Sequence, residues 1–267
     1  MAPYNFDAPD TDAVLLSSDG KEFHVHRLIL SLASPVFRGM FSLPQPTVTE
    51  PTSQIPTIDV AESSDILQPF LQCLYPRKPP KISDLAMWAA LYTAADKYNA
   101  EAVMELLRDM LIPEFLETSP LRVYALASHY GFEEVAKIAS TRTLTCNIFK
   151  DFPQEDVEMM GGAACQKIYL LHYNRREAAQ AVVANRPLPF SSCSCSKSDY
   201  ISFDQALSQR VARRPWLTAE ELHKEALRWS FTKTCGNNPN SCRNSFMNTH
   251  TYFTSILKGI SELPRTI

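Results

Sequence analysis

The sequence predicts an α+β fold at the N-terminus, a small sheet of about three strands flanked by helices, followed by an all-α region. Three observations carry this. Two short apolar strands flank Asp19-Gly20, with helices directly after them. A third short apolar segment stands at Thr57-Ile58-Asp59-Val60. Beyond Pro113 the apolar residues recur at helical spacing throughout.

The elements follow in order. Residues 1–11 form a short lead-in. Val14 and Leu16 are expected on one strand face, matched by Phe23 and Val25 across a tight Asp19-Gly20 turn, since glycine accepts positive φ without strain. Ser34-Pro35 restarts a helix. Ser34 can cap free amides, and Pro35 lacks only an N–H that had no partner there. Residues 42–57 carry four prolines and read as an exposed loop. After the third strand, Ser64 precedes a helix whose Ile66, Leu67, Phe70, Leu71 and Leu74 make one apolar stripe, stopped by Pro76, Pro79 and Pro80. Ser83 is expected to cap the next helix, with Leu85, Trp88, Leu91, Tyr92 and Ala95 inward, and Val103 to Leu111 make another.

The all-α part begins at Ser119-Pro120. That helix runs through Val123, Leu126 and Ala127, and Gly131 stops it. Phe132 to Leu144 form a second helix, and 154–160 and 164–184 two more. Pro187 to Ser198 form a break. Thr218-x-x-Glu221 is a capping-box pattern opening a helix through Leu222, Ala226 and Trp229, and a last helix spans about 244–261.

Composition narrows the function. The chain has 267 residues, and its 45% apolar content is enough for a sizeable core. A net charge of −3 gives no basic footprint for nucleic acid. Glycine is scarce, 7 against 19 prolines, and no phosphate-binding or nucleophile-elbow motif surrounds Gly161-Gly162. The N-terminus lacks a basic start and an apolar run, and no stretch approaches the roughly 20 apolar residues of a membrane helix. Seven irregularly spaced cysteines suit reduced thiols. The expectation is a soluble intracellular protein, cytoplasmic or nuclear, and not an enzyme.

Asp12, Val14 or Leu15, Asp19, Gly20, Phe23, His26, Arg27, Ile29, Leu30, Ser34, Phe37 and Met40 match, in order and spacing, the start of the BTB/POZ domain. Ala94-Ala95-Asp96-Lys97-Tyr98 resembles the alanine-rich helix that ends in Lys-Tyr in that family. The likeness runs from about residue 10 to 112, so residues 1–113 are assigned to it. The helical pairs of 114–190 are similar to a BACK-type extension. Val123 to Ala127 with Gly131-Phe132 resemble a helix pair of fungal BTB proteins. Residues 191–267 form a C-terminal helical region with cysteine pairs.

The resemblance implies a protein-interaction module rather than a catalyst. It places Asp12 and His26 near each other in a cleft serving partner recognition or dimer contact. The competing role is a bond that fixes the first strand on the first helix. Met40, Phe41, Leu43 and Tyr75, at element ends beside the proline-rich loop, are candidate contact residues, because aromatic and Met side chains favour interfaces. Each of these four can equally be core. Val48-Thr49-Glu50 resembles the hydrophobic-x-Glu triplet of BTB adaptors that bind a cullin. A self-associating domain is a further outcome, although only about ten residues precede Asp12, little chain for an exchanged N-terminal strand.

Cys193-x-Cys195 and Cys235-x6-Cys242 supply four thiolates, enough for a tetrahedral structural zinc, with His223 or His250 as substitutes. Free thiols or a disulfide are the alternatives. Cys73, Cys146 and Cys165 read as core. His129 and His172 read as structural or surface groups. Three functions follow: a non-catalytic interaction module or scaffold, a substrate adaptor of a cullin-type ubiquitin ligase, or a zinc-containing transcriptional regulator.

Overall fold

A computed structural model describes residues 6–43, 55–185, 197–218, 220–222, 224 and 252–267. It divides into two compact units, with Phe115 closing the first and Leu116 opening the second.

The first unit holds a three-stranded sheet. β1 (Ala13–Leu16) pairs antiparallel with β2 (Glu22–Val25) and parallel with β3 (Thr57–Asp59), so β1 is central. The register corrects the expected faces. Ala13 stands opposite Val25 and Leu15 opposite Phe23, so Val14 and Leu16 face His24 and Glu22 instead. The cause is loop length. Ser17 N–H bonds Lys21 O at 3.0 Å and Gly20 N–H bonds Ser17 O at 2.9 Å, with Gly20 at φ 81°. That is a three-residue loop, Ser18-Asp19-Gly20, closed by a left-handed glycine, not a two-residue turn. One extra residue moves every side chain to the other face.

α1 (Arg27–Ala33) and α2 (Pro35–Ser42) follow, and the Ser34 hydroxyl between them accepts the Phe37 N–H as the expected cap. α3 (Ser64–Leu74) is capped from the hairpin: Asp19 accepts from both the Ser64 N–H and its hydroxyl. Hydrogen bonds from the Ser17 hydroxyl and from Ser64 hold the pKa of the Asp19 carboxyl down at about 2. α4 (Leu85–Lys97) is capped by Asp84, which accepts the Met87 N–H at 2.8 Å. The Ser83 hydroxyl donates to Asp84 and lies near Met87 Sδ but accepts no helix N–H, which corrects its expected role. α5 (Glu101–Met110) runs into a π-helical turn, Leu111–Phe115. The core is aromatic. Tyr98 stacks on Phe37 at 4.5 Å and on Phe70 at 5.4 Å. Buried Trp88 donates to Leu107 O, tying α4 to α5.

In the second unit α6 (Pro120–His129) packs on α7 (Glu133–Thr143) and on α9 (Gln154–Ala184), with α8 (Ile148–Asp151) between α7 and α9 in the chain. Gly131, at φ 74°, ends α6 as expected. α9 breaks at Gly161 (φ 77°, ψ 165°), where the sequence predicts two helices. This conformation is essentially open only to glycine. α10 (Lys197–Arg213), which lies where no helix was expected, packs on α9. One core joins Ala179 and Val183 of α9 to Leu207, Val211, Leu217 and Leu222 and to Tyr252, Ile256 and Ile260 of a C-terminal helix at 252–261. The extension and the C-terminal region therefore share a single unit. The capping box is formed as predicted. The Thr218 hydroxyl accepts the Glu221 N–H, and the Glu221 carboxylate accepts the Thr218 N–H.

Candidate interaction site

The junction of β2 and α1 gathers four of the residues singled out by the sequence, Asp12, His26, Phe41 and Tyr75. Asp12 is exposed, and its Oδ1 accepts the Arg27 N–H at 2.7 Å, satisfying a free amide in the first turn of α1. It therefore fixes β1 on α1, but through Arg27 and not through His26. The carboxylate beside His26 is that of Asp10, 3.5 Å from Nε2. On its other side His26 meets Tyr75 twice: the backbone N–H donates to Tyr75 Oη at 2.9 Å, and ring Nδ1 lies 3.1 Å from that oxygen. A phenol has one hydrogen to give. If it goes to Nδ1, the ring hydrogen sits on Nε2, toward Asp10. Asp10, His26 and Tyr75 thus form a chain that anchors the end of α3 on the start of α1.

Tyr75 and Phe41 are buried, so both serve the core, the second of the two roles open to them. Arg27 donates to Phe41 O at 2.6 Å with its guanidinium 5.2 Å above the Phe41 ring, which closes α1 against α2. Met40 is half-buried and Leu43 is exposed. Val48 and Glu50 lie outside the described residues, as do Cys193, Cys195, Cys235, Cys242, His223 and His250. Among the described residues no cluster could hold a metal ion, and no helix is long and apolar enough to cross a membrane. Cys73, Cys146 and Cys165 are free thiols and half-buried rather than core. Burial pushes the Cys73 thiol up to about 12, which suppresses its nucleophilic form.

Sequence reasoning missed the two most exposed leucines among the described residues. Leu28 and Leu32 are 71% and 72% exposed. They stand one turn apart on the outer face of α1, while Leu30 of the same helix is fully buried. The signal is present in Leu28-Ile29-Leu30-x-Leu32. A short helix apolar on more than one face has one face left over after the core is served.

The first unit is similar in sequence to known proteins. The BTB/POZ family matches residues 6–114. Residues 6–114 are a BTB/POZ domain. The chain is 33% identical over 125 residues to TD and POZ domain-containing protein 5 of Mus musculus, covering 47% of this chain and 35% of that protein. It is 30% identical over 125 residues to Kelch repeat and BTB domain-containing protein 8 of Homo sapiens, covering 47% of this chain and 20% of that protein. A third relative, TD and POZ domain-containing protein 3 of Mus musculus, is 32% identical over 101 residues, 38% of this chain and 26% of that protein. The chain thus spans about a third or less of the length of these relatives. BTB/POZ domains are protein-interaction modules, so the exposed face of α1 lies on a unit built for contacts.

Proposed function

We propose that this chain works inside the cell by binding other proteins through its BTB/POZ domain, without catalysis, and that the helical unit serves as scaffold or second docking surface. The observation that carries this is the outer face of α1, where Leu28 and Leu32 are exposed one turn apart. Burying two such side chains contributes roughly 1.5–3 kcal/mol each, enough to matter at an interface centre. Asp10, Asp12, His26 and Arg27 supply the polar rim beside it. A second copy of this chain is the first partner to consider. A cullin is the second, supported by the Val48-x-Glu50 triplet, and would make the protein a ligase adaptor.

Light scattering on the purified chain, alone and titrated with the N-terminal region of a BTB-binding cullin, tests this. The expected result is a doubled mass or a saturable complex, lost in the double variant L28D/L32D, whose far-ultraviolet dichroism and melting stay as in the parent. A monomer at high concentration that ignores the cullin, or a complex indifferent to L28D/L32D, would remove this face as the contact.

A further inference from the structure

β2 lies at the edge of the three-stranded sheet, and an edge strand offers its backbone groups to any extended chain that comes alongside. Here the lead-in at residues 6–11 takes that place. The His24 N–H, turned away from β1, donates to Phe6 O at 2.9 Å. The Phe6 ring is 6% exposed and fills a notch between two other rings, 5.9 Å from Phe23 and 5.3 Å from Tyr75. Four residues on, Asp10 reaches His26 Nε2 at 3.5 Å. The Thr11 hydroxyl donates to Ala8 O at 3.0 Å and closes the turn at Pro9-Asp10.

These anchors are unequal. Asp7, Pro9 and Asp10 are exposed, and Phe6 is the one apolar side chain of residues 6–11 that is buried. An ion pair at the surface contributes little. A segment tied down chiefly by one ring belongs to the low-stability end of a fold, where local opening precedes global unfolding. Opening frees the His24 N–H, the notch between Phe23 and Tyr75, and the His26 ring in one place.

We propose that this edge is a docking site for an extended segment of a partner protein, and that the chain's own lead-in occupies it as a displaceable strap. The partner's chemistry is read from the strap: an aromatic side chain for the notch, a backbone carbonyl for the His24 N–H, and a carboxylate four residues later for His26. Strand addition of this kind draws affinity from the backbone and specificity from the side-chain notch. The site adds a second contact to the BTB/POZ unit and rests on the reading of that unit as an interaction module.

The probe is a capped synthetic peptide, Phe-Asp-Ala-Pro-Asp-Thr, which supplies residues 6–11 in trans. It is titrated into the full chain labelled with ¹⁵N-histidine, and the His24 amide resonance, assigned with H24Q, is followed. The parent should bind weakly, because only the fraction with an open strap accepts the peptide. F6A in the chain should tighten binding about tenfold or more. A peptide carrying F6A should not bind, and one carrying D10K should bind about fivefold more weakly. Adding L28D/L32D should leave the titration unchanged, so failure of the α1 face and failure of this edge are read separately. In the parent itself the His24 amide should exchange its hydrogen faster than the β1–β2 ladder does. A His24 amide that exchanges only with global unfolding, an F6A chain that binds no more tightly than the parent, or an F6A peptide that binds as well as the original would overturn the proposal. So would a doubled mass that F6A, and not L28D/L32D, returns to that of one chain, since the edge would then belong to the exchanged lead-in of a second copy.

Discussion

The two units treat buried polarity in opposite ways. Among the described residues of the BTB/POZ unit, the buried polar side chains are Thr11, Ser17 and Ser34, all uncharged. Its carboxylates act from the edge, as Asp19 and Asp84 do at the starts of α3 and α4. The helical unit instead buries Asp156, His172 and Arg175. Arg175 is 2% exposed, and its guanidinium donates to four carbonyls, those of Pro215, Ile260, Leu263 and Pro264. Three of the four belong to the end of the C-terminal helix and the chain just after it, where carbonyls lack intrahelical partners. A sheet enforces register along every strand pair. A helical unit has no such ladder, and here one guanidinium pins distant segments together.

The largest expected effect follows from that contrast. Arg175→Met keeps most of the side-chain volume and removes the donor from four carbonyls, two of them, on Pro215 and Ile260, buried, at a cost of about 4 kcal/mol. Denaturant unfolding of the full chain should show the helical unit's transition moved to lower denaturant, with that of the BTB/POZ unit unchanged. A shift under about 1 kcal/mol would mean that water or backbone adjustment replaces the guanidinium, and the contrast between the units would collapse.

Acid should separate the units next. Burial, with the charge of Arg175 beside it, depresses His172 to about 4 from an ordinary 6.5. The folded form therefore binds fewer protons than the unfolded chain. Stability from this group is complete above pH 6.5 and is lost as pH falls toward 4, about 3 kcal/mol in all. Asp156 works in the opposite sense, since burial raises its carboxyl and acid relieves that cost. In the BTB/POZ unit burial alone would raise Glu62, but the hydrogen bonds from Lys97 and Tyr98 outweigh it and hold the carboxyl down. That contribution, with that of Asp19, is lost only as pH falls below the ordinary carboxylate range. Melting at pH 7.5 and 5.5 should thus lower the helical unit's midpoint and leave the other in place, and His172→Gln should flatten the difference. Equal losses in both units would place the acid sensitivity elsewhere.

What the sequence disclosed shares one property: it is local. The Ser34 cap, the left-handed Gly131, the break at Gly161 and the Thr218–Glu221 box each depend on a few neighbouring residues. The BTB/POZ start is likewise a dense run of positions within one stretch. Hidden features depend on distance or on parity. Whether Leu15 or Leu16 faces Phe23 turns on one residue of loop length, and Asp19-Gly20 suits either loop. Ser83 and Asp84 are both good caps, and only the helix start chooses between them. Arg175 looks like half of a solvated Arg175-Arg176 pair, because its acceptors lie 40 and more residues away. At the site, Asp12 and His26 were visible as chemistry, but their partners, Arg27 N–H, Asp10 and Tyr75, depend on how strand and helix ends meet. Leu28 and Leu32 were hidden by the opposite fault, since an apolar residue in an apolar helix reads as core.

The smallest effect asks whether a local device can matter as much as the long-range one. Thr218→Ala removes the hydroxyl that accepts the Glu221 N–H, while the Glu221 carboxylate keeps its bond from the Thr218 N–H and its pairing with Arg210. Losing one side of such a box costs about 1 kcal/mol. The helical unit's transition should therefore move about a quarter as far as in Arg175→Met. The two changes should also add, because they touch no common side chain. Strong coupling between them would show that the box and the guanidinium hold one structure. Pro215, whose carbonyl Arg175 binds, stands three residues before Thr218, so that is where the coupling would have to run.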